Sequence, residues 1–189
     1  MAKKTKIEFN PFDLSSIENA IGELNLYKRK FDAKVDLFIR RLAEYGVEVA
    51  KEKVQKFDAV FTAELLNSLH VEKRDSCFFI VSDSEHTAFV EFGTGQYGQQ
   101  NPYKYPLPSG VEWDYNVGEH IQYAEETLVW GDRVISQGTY YWFYFDTRTN
   151  RWMLTQGMRS RPFMYETAME LSKISTIRKI ADEVFSDVE

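Results

Sequence analysis

The sequence predicts an α+β protein, with a long N-terminal helix and a C-terminal helix packed on an antiparallel sheet that carries an aromatic β-hairpin. Three observations carry that expectation. Apolar residues recur at spacings of three and four from Phe31 to Phe57, the period of one helix face. Residues 140–145 are aromatic without a break, a composition that suits a strand. Helical spacing returns after Pro162 and continues to Phe185. With 189 residues, 43% of them hydrophobic, the chain is long enough for one core and short for two. The expected organisation is an N-terminal arm over residues 1–28 and a single α+β domain over 29–189, with 96–138 as an extended loop insertion.

In the arm, Asn10-Pro11-Phe12-Asp13 is a turn signal, and Asp13 or Ser15 is placed to cap a short helix over residues 17–24. The following helix is expected over 29–57, on a stripe of Phe31, Val35, Phe38, Leu42, Tyr45, Val49 and Ala50 that Val54 and Phe57 extend. Gly46 lies within it and marks a soft point, at a cost of about 1 kcal/mol relative to alanine. Residues 62–69 read as a turn or short helix leading to the sheet. Cys77 to Val81 are apolar throughout, which predicts a strand buried on both faces. Asp83-Ser84-Glu85 then reads as the turn of a hairpin whose second strand is 86–92.

Residues 93–109 are rich in Gly, Gln, Asn and Tyr and hold Pro102, Pro106 and Pro108, a composition that predicts a loop. Short strands or irregular structure are expected over 111–133. A hairpin follows: 140–145, a turn at 146–150, and a return over 151–155 with Trp152 and Leu154 on one face. The last element is one helix over 162–185, opened by Pro162 in the first turn, where a missing N–H costs nothing.

Charge and composition narrow the function. A net charge of −6 argues against general nucleic-acid binding, which needs a basic surface. The short basic runs at Lys3, Lys4 and Lys6 and at Lys28, Arg29 and Lys30 read as solvated faces. Cys77 is the only cysteine, so neither an internal disulfide nor a cysteine zinc site is available, as suits a reducing cytoplasm. Its apolar surroundings predict an inert thiol. The first ten residues lack the apolar core of a signal peptide.

Catalytic patterns are absent from the chain. Gly93-Thr94-Gly95 has no following lysine of a phosphate loop and reads as a turn. His70, His86 and His120 lack metal-ligand spacing. Read as a strand, 86–92 sends His86 and Glu91 to opposite faces, a poor acid–base pair. Asp83 and Glu85 read as solvated turn residues. Glu91, set between Val90 and Phe92, is expected to pair with Arg159, Arg161 or an arginine of a neighbouring subunit. No catalytic residue, cofactor site or metal site is expected.

Ala88-Phe89-Val90-Glu91-Phe92-Gly93-Thr94-Gly95 and, about seventy residues on, Arg161-Pro162-Phe163-Met164 are the most informative segments. Together they resemble the tail-component and neck (head–tail joining) family of long-tailed bacteriophages, in which such a strand precedes an x-Pro-Phe-Met helix. The form from phages of Gram-positive hosts is also similar at Trp142-Phe143-Tyr144-Phe145-Asp146, Trp152 and Thr155-Gln156-Gly157-Met158. Thr62-Ala63-Glu64-Leu65-Leu66-Asn67-Ser68-Leu69 is similar to the family's Thr-Gly-x-Leu-x-x-Ser-Ile element but departs at the glycine.

The resemblance implies a small structural protein of the virion, made in the host cytoplasm and built as a homo-oligomeric ring into the neck or upper tail. Its partners would be other connector and tail proteins, with at most passive contact with DNA passing through the ring and no membrane. Head–tail joining or tail completion is the implied role. The assembly candidates are Glu91, Phe92, Gly93, Thr94, Gly95, Trp142, Tyr144, Trp152, Arg161, Pro162, Phe163 and Met164. The alternative is a carbohydrate-binding accessory module that grips cell wall through Tyr141, Trp142, Tyr144 and Trp152.

Overall fold

The computed structural model describes residues 6–57, 62–116, 121–146 and 149–186. Lys3, Lys4, His120 and the turn residues Thr147 and Arg148 lie outside the described residues. The architecture is mixed helix and antiparallel sheet with a long helix first and helical structure last, as the sequence predicts, although the single C-terminal helix expected is divided in two. Two compact units share the chain, one of residues 1–50, 69–81 and 167–189, the other of residues 51–68 and 82–166.

The first unit is built on α1 (Leu14–Lys56), whose residues up to Ala50 belong to it. Asp13 caps this helix: its carboxylate accepts the N–H of Ser15 at 3.1 Å, and its carbonyl accepts that of Ile17. The helix then runs unbroken through the boundary expected at residue 28, because no proline or cap interrupts residues 17–30. Gly46 is no soft point. It is buried, and a Cβ there would collide with the Ile80 and Leu171 side chains, so the glycine admits a close approach.

A hairpin of β1 (Leu69–Arg74) and β2 (Cys77–Ser82) turns at Asp75, whose φ is 53°. β2 is not buried on both faces: Cys77 and Phe79 are exposed while Ile80 is half-buried, the pattern of a two-stranded ribbon with one covered face. The Arg74 guanidinium lies 5.3 Å from the Phe79 ring centre. Cys77 is therefore not in the apolar pocket expected for it.

The C-terminal helix is two helices, α5 (Phe163–Leu171) and α6 (Ile174–Phe185). Ser172 turns its hydroxyl onto the Met169 carbonyl at 2.8 Å, and Lys173 is extended at ψ 130°, which ends one helix and opens the next. The Phe185 ring of α6 lies 6.2 Å from Phe31 and 6.1 Å from Phe38.

In the second unit, residues 62–69 contain the short helix expected there, α2 (Thr62–Ser68), whereas the segment expected as the partner strand of β2 is a helix, α3 (Thr87–Phe92). Thr87 bonds the Ser84 carbonyl through both N–H and hydroxyl, and Gly93 ends the helix at φ 84°. Helix geometry also explains why the adjacent Val90 and Glu91 are both buried, since a strand would send them to opposite sides. The expected loop 93–109 contains a further short helix, α4 (Gly95–Gln100).

The sheet of this unit is β3 (Gln122–Tyr123), β6 (Tyr140–Asp146) and β7 (Arg151–Thr155), in the order β3-β6-β7. A separate pair, β4 (Leu128–Trp130) with β5 (Arg133–Ile135), joins its core of Ala124, Ile135, Tyr141 and Leu154. The aromatic hairpin is present in the expected place, with Phe143 opposite Leu154 and Phe145 opposite Trp152. A last short strand, β8 (Gly157–Met158), bridges Met158 to Thr94 and Gly157 to Gly95. Among the described residues no helix is long and apolar enough to cross a membrane.

Candidate assembly site

The two segments singled out in the sequence meet in the second unit. Glu91, near the end of α3, is only 5% exposed. Its carboxylate accepts the N–H groups of Met164 at 2.8 Å and Tyr165 at 3.1 Å, which are orphan donors in the first turn of α5. The pairing with Arg159 or Arg161 expected from sequence is thus replaced by a cap supplied from a distant segment. A carboxylate at a helix N-terminus also meets the positive end of the helix dipole. Burial nevertheless pushes the Glu91 carboxyl up to about 7, against the two N–H bonds and the Tyr103 hydroxyl that favour its charged form. Burial and the neighbouring Glu91 likewise push Tyr103 up to about 12.

Backbone bonds complete the junction. The Arg161 N–H donates to the Val90 carbonyl at 2.8 Å, and the Ser160 hydroxyl donates to the Glu91 carbonyl at 2.7 Å. Phe163 is fully buried behind them. Gly93-Thr94-Gly95 runs close to the returning segment 156–160. A Cβ on Gly93 would stand 2.7 Å from the Ser160 nitrogen, and one on Gly157 would strike the Thr94 carbonyl. Gly95 and Gly157 also hold φ values of 59° and 100°. Glycine here meets both a positive φ and a close backbone approach.

An aromatic layer from the 96–138 segment covers the junction. The Trp113 indole donates to the Gly93 carbonyl at 2.9 Å, and its ring lies 5.0 Å from Phe92. Tyr105 stacks on Tyr165 at 3.9 Å. Sequence reasoning missed Tyr103, Tyr105 and Trp113; the only signal was their density in a segment read as loop.

Beside the junction lies a cleft of about 850 Å³. Its walls bring Thr94, Trp142, Tyr144 and Arg161 together with His86, Arg133 and Arg159, and its described lining holds no carboxylate. Within a chain of net charge −6 this is a locally basic, aromatic recess.

The assembly candidates therefore separate into three groups. Glu91, Gly93, Thr94, Gly95 and Phe163 are buried, and Phe92, Pro162 and Met164 are half-buried beside them, so this group holds the fold together. Trp142, Tyr144 and Arg161 line the cleft. Trp152 is 62% exposed and lies opposite Phe145, on the other face of the hairpin from Trp142 and Tyr144. Tyr141 is buried in the sheet core. The four rings named for sugar binding thus do not share one platform.

Comparison of the chain with protein-family models, with curated proteins and with solved structures returned no match.

Proposed function

We propose that this protein is a structural component of a tailed-bacteriophage virion, acting in head–tail joining or tail completion as a ring-forming neck or upper-tail part. The observation that carries the reading is the bond from Glu91 to the first turn of α5. It gives a physical reason for an Ala-x-Val-Glu-Phe-Gly-Thr-Gly segment and an Arg-Pro-Phe-Met segment to occur together, since each completes the other's backbone hydrogen bonding.

The surface favours assembly as well. Val129, Trp130, Val134, Phe145 and Trp152 are all exposed on the β4–β5 and β6–β7 hairpins. Exposed aromatic and β-branched side chains of this kind suit a subunit contact, whose energy comes from apolar area removed from water, about 25 cal/mol per Å² before ordering costs. Protein analysis of purified particles tests the reading. The expected result is this chain in every particle at several copies per portal vertex; particles free of it, with retention on purified cell wall instead, would reject it.

A further inference from the structure

The stripe that α1 buries does not stop where its cover stops. Leu14, Ile17, Ile21, Leu24, Lys28 and Phe31 continue, at alternating spacings of three and four, the row that Val35, Phe38, Leu42, Tyr45 and Val49 form farther along. The inner part of that row is covered within the first unit, where Phe185 of α6 meets Phe31 and Phe38. Beyond Phe31 the cover from α6 ends, and only Ser16, Ile17 and Ala20, near the start of the helix, are shielded within the chain. Every residue from Ile21 to Ala33 is exposed, on all faces of the helix, with Ile21 at 53% and Leu24 at 54%. A helix in water without tertiary packing is marginal, and apolar residues along one line of it are a seam awaiting a partner.

We infer that this overhang pairs antiparallel with the overhang of a second copy of this chain. Charge selects the occupant and the direction. Asp13, Glu18 and Glu23 lie toward the start of the overhang, and Lys28, Arg29 and Lys30 toward its inner end. An antiparallel copy sets each acidic part against a basic part. With Ile21 opposite Leu24 of the second copy and Leu14 opposite Phe31, Lys28 faces Ile17 and reaches the adjacent Glu18. Parallel pairing would instead stack Lys28 on Lys28 within the seam, a like-charge contact at the least tolerant position. The contact is isologous and closes at two, so it does not depend on the ring reading and stands or falls separately from it.

The test uses the full chain with Cys77→Ser as background. Ile17→Cys and Lys28→Cys proteins, mixed and oxidised, should cross-link to each other and neither to itself. In the antiparallel pair each residue lies eleven positions from its own copy, about 16 Å along the axis. In sedimentation, Lys28→Glu should weaken the dimer about tenfold by opposing Glu18. Glu18→Lys combined with Lys28→Glu should restore it. Glu18 and Lys28 are exposed and Ile17 is half-buried, so the variants keep the fold, which circular dichroism checks. A monomer at all concentrations, self-cross-linking of either cysteine protein, or a charge swap that fails to rescue would each overturn the inference.

Discussion

Glu91 acts on the fold before it can act on any partner. Removing its side chain leaves the Met164 and Tyr165 N–H groups without their acceptor, so Glu91→Ala should destabilise the protein by about 1–3 kcal/mol. The same residue predicts a pH dependence. Its folded value of about 7 lies above the ordinary 4.5, so its contribution is full below 4.5 and is lost as pH rises through 7. Denaturant melts between pH 4.5 and 8 should show this slope in the wild type and a flatter one in Glu91→Gln. An unchanged slope would mean that another group titrates. Phe163 is fully buried, so Phe163→Ala should cost about 3–5 kcal/mol, read by the same melts. It therefore cannot serve as a surface contact that a substitution removes while leaving the monomer folded.

At the scale of elements, the aromatic hairpin divides its labour by face. One face, with Tyr141 and Leu154, helps form the sheet core, and at its turn end Phe145 and Trp152 meet edge to face at 5.6 Å in solvent. Trp152→Ser should shift the melting midpoint little while lowering particle yield in complementation; a large loss of stability would assign Trp152 to the fold. This hairpin was legible in the sequence because aromatic strands and a polar turn admit few alternatives. The stripe of α1 was legible for the same reason of period, as was the start of α5 after Pro162. Residues 87–92 were not. A run of six with Phe, Val and Phe fits either period, and the deciding bonds come from Ser84 and from Gly93, at its two ends. The break at Ser172 rests on a hydroxyl competing for a carbonyl, which leaves no trace in hydrophobic spacing. Of the site, the glycines were visible as a turn, but the partner of Glu91 was not, because a cap across some seventy residues has no local signature.

For the whole molecule, the acidic surface and the aromatic and basic features have separate places. A net charge of −6 disfavours binding to DNA phosphates, which is consistent with the proposed place in a ring that DNA passes through. The basic cleft of the second unit and the bare seam of α1 in the first unit are local exceptions, each suited to a different contact. Under the proposed assembly role the buried Glu91 junction is scaffold and the exposed rings of the hairpins are contact. Electron microscopy of a lysate made with an early stop codon in this gene tests that account most directly. It predicts failed particles, either filled heads beside separate tails for a joining protein or abnormally long tails for a completion protein, whereas complete, normal-looking and infectious particles would contradict it.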